Sequence, residues 1–204
     1  MEAEVGASIL SRSGRVILKR ANDWFALGLF VSPPAISVRQ LKEFDFMVDP
    51  HIGLISYQQA LLQGLIRPDA CNIHPSLTVL MDDVPGGKRL TYAYVEGLIV
   101  KATAIYVMNG KSGNRPYFQV GYAVAEEFRG QGAAQRVLRM SIDEISACFS
   151  KVIPEFYIEA VVSMTNPASL HIAEKIIGGV PEEITDKESG EPALRYTMLV
   201  ARPY

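Results

Sequence analysis

The sequence predicts one α/β domain of the α+β type, in which an antiparallel meander of strands is flanked by helices. Two observations lead to this fold class. From residue 76 onward the chain is rich in Val, Ile, Thr and Tyr and is interrupted by short Gly and Asn turns, as in β-hairpins. After Gly132, apolar residues recur every three or four positions, which is typical of a helix with one buried face. No repeat, low-complexity tract or linker divides the 204 residues, so a single domain is expected.

The amino-acid composition and net charge argue against several classes of protein and partner. Hydrophobic residues make up 49% of the chain and charged residues 21%, which excludes an intrinsically disordered protein. The formal net charge is −2 and there is no Lys/Arg run, so no nucleic-acid partner is expected. Cys71 and Cys148 lie far apart and have no metal-ligand spacing to any His, which is typical of small buried residues in a reducing compartment. Without a signal-peptide core or an apolar run that could cross a bilayer, we expect a soluble, cytoplasmic protein with no membrane contact.

The first 75 residues carry the weakest pattern. Residues 15–19 are compatible with a short strand. Residues 38–47 have apolar positions at helical spacing after Ser37, which can serve as a cap. A second helix is predicted over residues 55–66 and ends at Arg67-Pro68. This part of the chain is therefore expected to be mainly helical.

Three or four strands are predicted next, within residues 77–81, 89–95, 98–108 and 117–124. The segments between them, residues 84–88, 96–97 and 109–114, are rich in Gly, Asn and Pro or are short enough for a tight turn. Neighbouring strands joined by such turns run antiparallel, so a meander is the simplest arrangement.

The helix after Gly132 has the clearest period in the chain. Its apolar positions are Ala134, Val137, Leu138, Ile142, Ile145 and Phe149, whereas Asp143 and Glu144 fall on the polar side. A further strand is predicted over residues 156–162. A short helix then starts at Pro167, with Asn166 or Thr165 as its cap, and ends at Gly178-Gly179. Residues 180–185 and 193–200, around Ser189-Gly190, predict a terminal hairpin.

The segment most informative about function is a small-residue loop between the 117–124 strand and the long helix. It reads Arg129-Gly130-Gln131-Gly132-Ala133-Ala134. The first N–H groups of a helix have no partner within the helix and carry a partial positive charge, so such a loop can cradle a phosphate or pyrophosphate. No Lys-Ser/Thr pair follows and no Gly-x-Gly-x-x-Gly occurs, which disfavours Walker-type and dinucleotide sites.

This loop, together with the later helix start at Asn166-Pro-Ala-Ser169, resembles the GNAT superfamily of acyl-CoA-dependent N-acetyltransferases. The loop fits the family signature Gln/Arg-x-x-Gly-x-Gly/Ala, and Val124 stands five residues before Arg129, where the family has a strand residue that pairs with pantetheine. The resemblance covers roughly residues 76–185. It implies a mixed, mostly antiparallel sheet whose 117–124 and 156–162 strands splay apart. It also implies that residues 1–75 shape the acceptor site and residues 76–204 form the sheet and CoA-binding core.

The resemblance further implies acetyl-CoA as the cofactor and no metal. The N–H groups of Gln131 through Ala134 would bind the pyrophosphate, and the backbone near Tyr122 to Val124 would bind pantetheine and stabilise the oxyanion. The Arg129 side chain would either add positive charge or remain solvated. The implied cofactor-binding residues are Tyr122, Ala123, Val124, Arg129, Gly130, Gln131, Gly132, Ala133, Ala134, Asn166 and Ser169.

The acid and base are less well defined. Many family members have a Tyr seven residues after the Asn, and here that position is Ala173. Ser169, one turn earlier, is either a replacement for this acid or a helix-cap serine. Glu159 lies in an apolar strand and is either a base with a raised pKa or a strand-edge carboxylate that faces solvent. His171 is expected on the surface.

The leading hypothesis is therefore an N-acetyltransferase that transfers an acetyl group from acetyl-CoA to a primary amine, on a small molecule or a peptide, by direct attack in a ternary complex. Ala173 motivates one alternative, an acyl-CoA-binding sensor or scaffold without turnover. Another is an acetyltransferase directed at a protein or at aminoacyl-tRNA, although the acidic net charge disfavours tRNA. A homodimer through the terminal hairpin or a sheet edge is also compatible with the sequence.

Overall fold

The computed structural model describes residues 49–84, 87–149 and 152–201. The predicted strand at 15–19 and helix at 38–47 lie outside them. In chain order the elements are α1 (Pro50–Leu62), β1 (Asp69–Ala70), β2 (Leu77–Val84), β3 (Gly87–Glu96), β4 (Ile99–Ser112), β5 (Arg115–Val124), a 3₁₀ turn (Glu126–Phe128), α2 (Ala133–Phe149), β6 (Glu155–Ser163), α3 (Pro167–Ile176), β7 (Glu182–Thr185) and β8 (Pro192–Ala201).

The strands of the described ranges form one eight-stranded sheet in the order β1-β2-β3-β4-β5-β6-β8-β7. Strands β2 to β5 are the predicted antiparallel meander, and β7 and β8 are the predicted terminal hairpin. The pairing of β5 with β6 is parallel, whereas the other pairs are antiparallel. The mixed, mostly antiparallel sheet flanked by helices is therefore confirmed.

Helix α1 begins at Pro50, five residues before the predicted start, and ends at Leu62. The side chain of Asp49 accepts a hydrogen bond from the N–H of His51 at 2.9 Å, and Pro50 occupies the first helical position. An Asp cap followed by Pro is a strong helix start, and it lies outside the apolar pattern on which the prediction depended. Apolar residues occur on the exposed as well as the buried side of this helix, so the apolar pattern did not mark its first turn.

Helices pack on both faces of the sheet. On one face, which we call the α1 face, Leu54 and Tyr57 of α1 pack against Ala93, Val100 and Ala123. On the other, the α2 face, the apolar side of α2 packs with α3 against the sheet through Val137, Leu138, Ile145, Phe149, Phe118, Phe156, Ile158 and Ala173. Successive side chains of a strand point to opposite faces of the sheet, so each residue of β5 and β6 belongs to one of the two faces.

One residue of α2 departs from the amphipathic pattern. Glu144, expected on the polar side, is buried. Its carboxylate accepts hydrogen bonds from the N–H groups of Asn72, Ile73 and His74 at 3.3, 2.7 and 2.7 Å. Backbone donors replace the water that a buried carboxylate loses, and side-chain periodicity carries no sign of them. Among the helices described, none is long and apolar enough to cross a membrane.

Candidate functional site

The site lies where β5 and β6 separate. The two strands pair at Tyr117↔Tyr157, Phe118↔Ile158 and Gln119↔Glu159, and no further pair joins them within the described residues. At the paired end the rings of Tyr117 and Tyr157 stack with centroids 4.6 Å apart. Beyond Gln119 a cleft of about 800 Å³ opens, lined by residues 120–124 of β5 and 161–163 of β6. The predicted splay of these two strands is confirmed.

The small-residue loop lines this cleft at the start of α2. Gly130 and Gly132 have φ of +72° and +77°, a conformation that glycine adopts without strain. The N–H of Arg136 donates to the carbonyl of Gly132 at 3.0 Å, which is the first bond of the helical ladder. The N–H groups of residues 133–135 precede that bond and so have no acceptor inside the helix. A Cβ atom added at Gly132 would meet no heavy atom within 4 Å, so the loop faces open space.

Nearly all of the predicted cofactor-binding residues line the cleft: Tyr122, Ala123, Val124, Arg129, Gly130, Gly132, Ala133, Ala134, Asn166 and Ser169. Gln131 does not, because its side chain turns back and donates to the carbonyl of Glu127 at 2.7 Å. The Arg129 guanidinium lies 3.6 Å from the Glu126 carboxylate, and both side chains are largely exposed. Arg129 thus keeps enough freedom to contact an anionic ligand.

The start of α3 is held in place by two hydrogen bonds. The Asn166 side chain caps the helix by accepting the N–H of Ser169 at 3.0 Å, as the sequence predicts. The Tyr122 hydroxyl donates to the carbonyl of Ser169 at 2.7 Å and so joins β5 to α3 across the cleft. Burial raises the pKa of Tyr122 to about 12, so the phenol stays protonated and remains a donor.

Ala173 is the position where the sequence departs from the family pattern. It lies on the inner side of α3 and is fully buried in the core. It does not line the cleft, and as an alanine it offers no hydroxyl there. His171 is exposed, as expected, but it also lies at the edge of the cleft. The first turns of α3 thus present Ser169 and His171 to the cleft, while Ala173 packs inward.

Glu159 lies outside the cleft lining, two residues before Val161, which does line it. Its register with Gln119 and its alternation with buried Ile158 and Ala160 place it on the α1 face. Burial raises the pKa of Glu159, and the positive charge of Arg195 partly offsets this effect. Arg195 Nε lies 3.7 Å from the carboxylate, an ion-pair distance beyond hydrogen-bond range, and makes no hydrogen bond within the described part of the chain. The assignment of Glu159 as a base stays a prediction.

The cleft residues that the sequence analysis missed include two titratable ones, Asp49 and His51 at the start of α1. They lie about 80 positions before the loop, in a part of the chain with little apolar periodicity. The capping pair Asp49-Pro50 was the signal that could have placed them at a helix start. No sequence signal showed that this helix start lies beside the splayed strands.

No protein-family model and no curated protein sequence matches the chain. Solved structures with a similar backbone include an acetyltransferase of the GNAT family from Streptococcus pneumoniae, at 13% identity and a TM-score of 0.43 over 55% of this chain and 67% of that one. A ribosomal-protein-S5-alanine acetyltransferase from Vibrio fischeri has 17% identity and a TM-score of 0.43, over 57% and 64% of the two chains. A spermidine N-acetyltransferase variant from Vibrio cholerae has 17% and 0.41, over 55% and 63%. At TM-scores below 0.5, these similarities carry no argument about activity or substrate.

Proposed function

We propose that this protein is a GNAT-type N-acetyltransferase that transfers an acetyl group from acetyl-CoA to a primary amine. The observation that carries the proposal is the cleft between β5 and β6. A helix start with free N–H groups and an unpaired strand edge both face this one cleft. These are the two backbone features that a ligand with a pyrophosphate and an amide-containing arm requires.

The residues present fit acetyl-CoA. The N–H groups of residues 133–135 and the Arg129 guanidinium would hold the pyrophosphate, and Gly132 would let it approach the backbone. Along residues 120–124, β5 has a ladder partner only on its β4 side among the described strands. Its free edge would pair with the amides of pantetheine, as an added strand does.

This arrangement supports transfer by direct attack. The neutral amine nitrogen would attack the thioester carbonyl carbon, the C–S bond would break, and the leaving sulfur would take up a proton. A backbone N–H of β5 at the splay would stabilise the oxygen that becomes negative, an electrostatic effect that is often the largest single contribution to catalysis. Both substrates occupy the cleft together in this scheme, so no covalent enzyme intermediate is required.

A Gly132→Glu variant tests the cofactor site. The new carboxylate would project into open space at the cleft and repel the pyrophosphate. We expect acetyl-CoA to bind about 100-fold more weakly, a loss of about 2.7 kcal/mol, as measured by titration calorimetry.

Gly190→Glu is the matched control, because Gly190 has a φ of +73° and equally open surroundings in the β7–β8 hairpin, away from the cleft. The two variants share the strain of a side chain at positive φ, so a difference between them reports the site. Equal and tight binding by wild type and Gly132→Glu would refute the proposed pyrophosphate site.

The second candidate function is acyl-CoA binding without turnover, as in a sensor or scaffold. The buried Ala173 favours it, since no tyrosine hydroxyl stands at that position of α3. Release of CoA thiol with a panel of primary alkylamines and short peptides distinguishes the two functions. Tight acetyl-CoA binding without thiol release would favour the sensor, and amine-dependent release would favour the enzyme.

A further inference from the structure

We propose that His51 accepts the proton that the substrate ammonium must lose before it can attack the thioester. This inference rests on the proposed function and names a residue for one of its steps. Its basis is the placement of His51, which is half-buried and lines the cleft from the first turn of α1.

The packing of α1 sets the side from which His51 reaches the cleft. One turn after His51, Leu54 packs with Tyr57 on the α1 face against Ala93 and Ala123. The far end of the helix is tied to the β3–β4 turn, because Gln58 donates to the carbonyl of Leu98 at 2.9 Å and accepts the N–H of Val100 at 2.7 Å. The start of α1 is thus anchored beside the splay, on the opposite sheet face from α2 and α3.

The cleft has opposite electrostatic character on its two sides. On the side of α2, the free N–H groups and Arg129 favour an anion. On the side of α1, the exposed carboxylate of Asp49 contributes a negative charge that favours a cation. The cleft is therefore suited to an anionic cofactor from one side and an ammonium substrate from the other.

Titratable groups from each element that lines the cleft bear on this assignment: Asp49 and His51 from α1, Tyr122 from β5, Arg129 from the loop and His171 from α3. Arg129 is always charged, and the phenol of Tyr122 stays protonated, so neither accepts a proton at neutral pH. His171 belongs to α3, on the α2 face of the sheet. The Asp49 carboxylate already caps α1, and imidazole is better matched than a carboxylate to proton transfer near pH 7, which leaves His51 as the acceptor on the amine side.

The proton balance is complete. A primary ammonium gives one proton to the unprotonated ring nitrogen of His51 and becomes a neutral amine. Its nitrogen lone pair forms the C–N bond, and the electrons of the C–S bond leave with sulfur. The attacking nitrogen then loses a second proton, which ends on the CoA thiol, and His51 releases the first proton to water. The amide keeps one hydrogen.

The test compares His51→Asn with wild type in the full chain, by thiol release with acetyl-CoA and the fastest alkylamine of the panel. At pH 7 we expect kcat/KM to fall about 100-fold, with acetyl-CoA affinity within about twofold of wild type. Alkylamines have a pKa near 10, so the neutral fraction rises about tenfold per pH unit below that value. The loss should therefore shrink steadily from pH 7 to pH 10, which a structural defect would not do.

His74→Asn is the matched control, because His74 bonds Asp143 at 2.9 Å outside the cleft and should keep wild-type kcat/KM. The assignment is overturned by a His51→Asn enzyme with wild-type kcat/KM at pH 7, or by a loss that stays constant to pH 10. It is also overturned if the pH-dependent loss appears in Glu159→Gln instead. Those results leave the proposed function standing. Absence of thiol release from wild type with every amine would refute both.

Discussion

At the scale of single residues, Tyr122 is the side chain that links two walls of the cleft, β5 and α3. Its hydroxyl joins β5 to the first turn of α3 at 2.7 Å, at the point where the strands have already separated. A protonated, partly buried phenol is a firm donor, so it restrains α3 where Asn166 and Ser169 line the cleft. The residue thus acts by positioning the wall of the site.

We predict that Tyr122→Phe lowers the free energy of unfolding by about 1 kcal/mol and weakens acetyl-CoA binding about fivefold, because the lost hydrogen bond frees the first turn of α3. Urea denaturation and calorimetry would measure the two effects. The matched control is Tyr106→Phe, which loses a bond of the same length, 2.7 Å to Ser141, within the core. It should lose similar stability with unchanged affinity. Equal affinity in the two variants would contradict a positioning role for Tyr122.

Residue roles were only partly predictable from the sequence. The loop from Arg129 to Ala134 was identified because its residue types and spacing reflect a local backbone conformation. Glu159 and His51 illustrate the limit, since whether a side chain reaches the cleft depends on register and on packing between distant segments. A carboxylate in an apolar strand indicates burial, but burial alone does not show which group it faces.

At the scale of elements, Glu144 fastens the segment after β1 to α2. Three backbone N–H groups of residues 72–74 donate to one buried carboxylate, and His74 bonds the neighbouring Asp143. This segment leads into β2, so the contact holds the β2 side of the sheet against α2. The first turn of α2 in turn carries the end of the Arg129–Ala134 loop. The stability of α2 therefore depends on a polar contact as well as on its apolar side.

Replacing Glu144 by Ala should lower the free energy of unfolding by about 3 kcal/mol, since it removes the buried charged acceptor of three backbone N–H groups. Asp143→Asn alters the adjacent residue, whose side chain is 58% exposed, and should cost less than about 1 kcal/mol. Urea denaturation of both variants provides the comparison. Equal unfolding midpoints would show that the buried carboxylate contributes little.

The elements themselves were predicted with uneven success, and the reasons are physical. Strands β2 to β5 follow from their Val, Ile, Thr and Tyr content and the turns between them, and helix α2 follows from its helical spacing. The centres of β3 and β4 are buried on both faces, so alternation among these four strands is clear only in β5. Strand β4 continues to Ser112 rather than ending at residue 108, because the hairpin extends through an irregular register between Met108 and Lys111. Helix α1 has apolar residues on its exposed as well as its buried side, so its start was marked by its cap and not by its period.

At the scale of the whole molecule, the sheet separates α1 from α2 and α3, and the splay of β5 and β6 connects its two faces through one cleft. The loop of α2 lies at that cleft on one side and the start of α1 on the other. The splay was predicted only through the resemblance, because parallel pairing between strands separated by a helix leaves no local trace in the sequence. The position of the α1 start beside the cleft depends on tertiary packing, and no sequence motif predicted it.

The most direct test of this account is amide hydrogen exchange of the full chain with and without saturating acetyl-CoA. At a concentration of 100 Kd, bound ligand should slow exchange about 100-fold at the amides it covers. The account predicts this slowing at residues 133–135 and along residues 120–124, with unchanged exchange in the β7–β8 hairpin. Binding that leaves the amides of residues 133–135 exchanging at their unliganded rate would contradict the central claim that the α2 start and the splayed edge of β5 form an acetyl-CoA site.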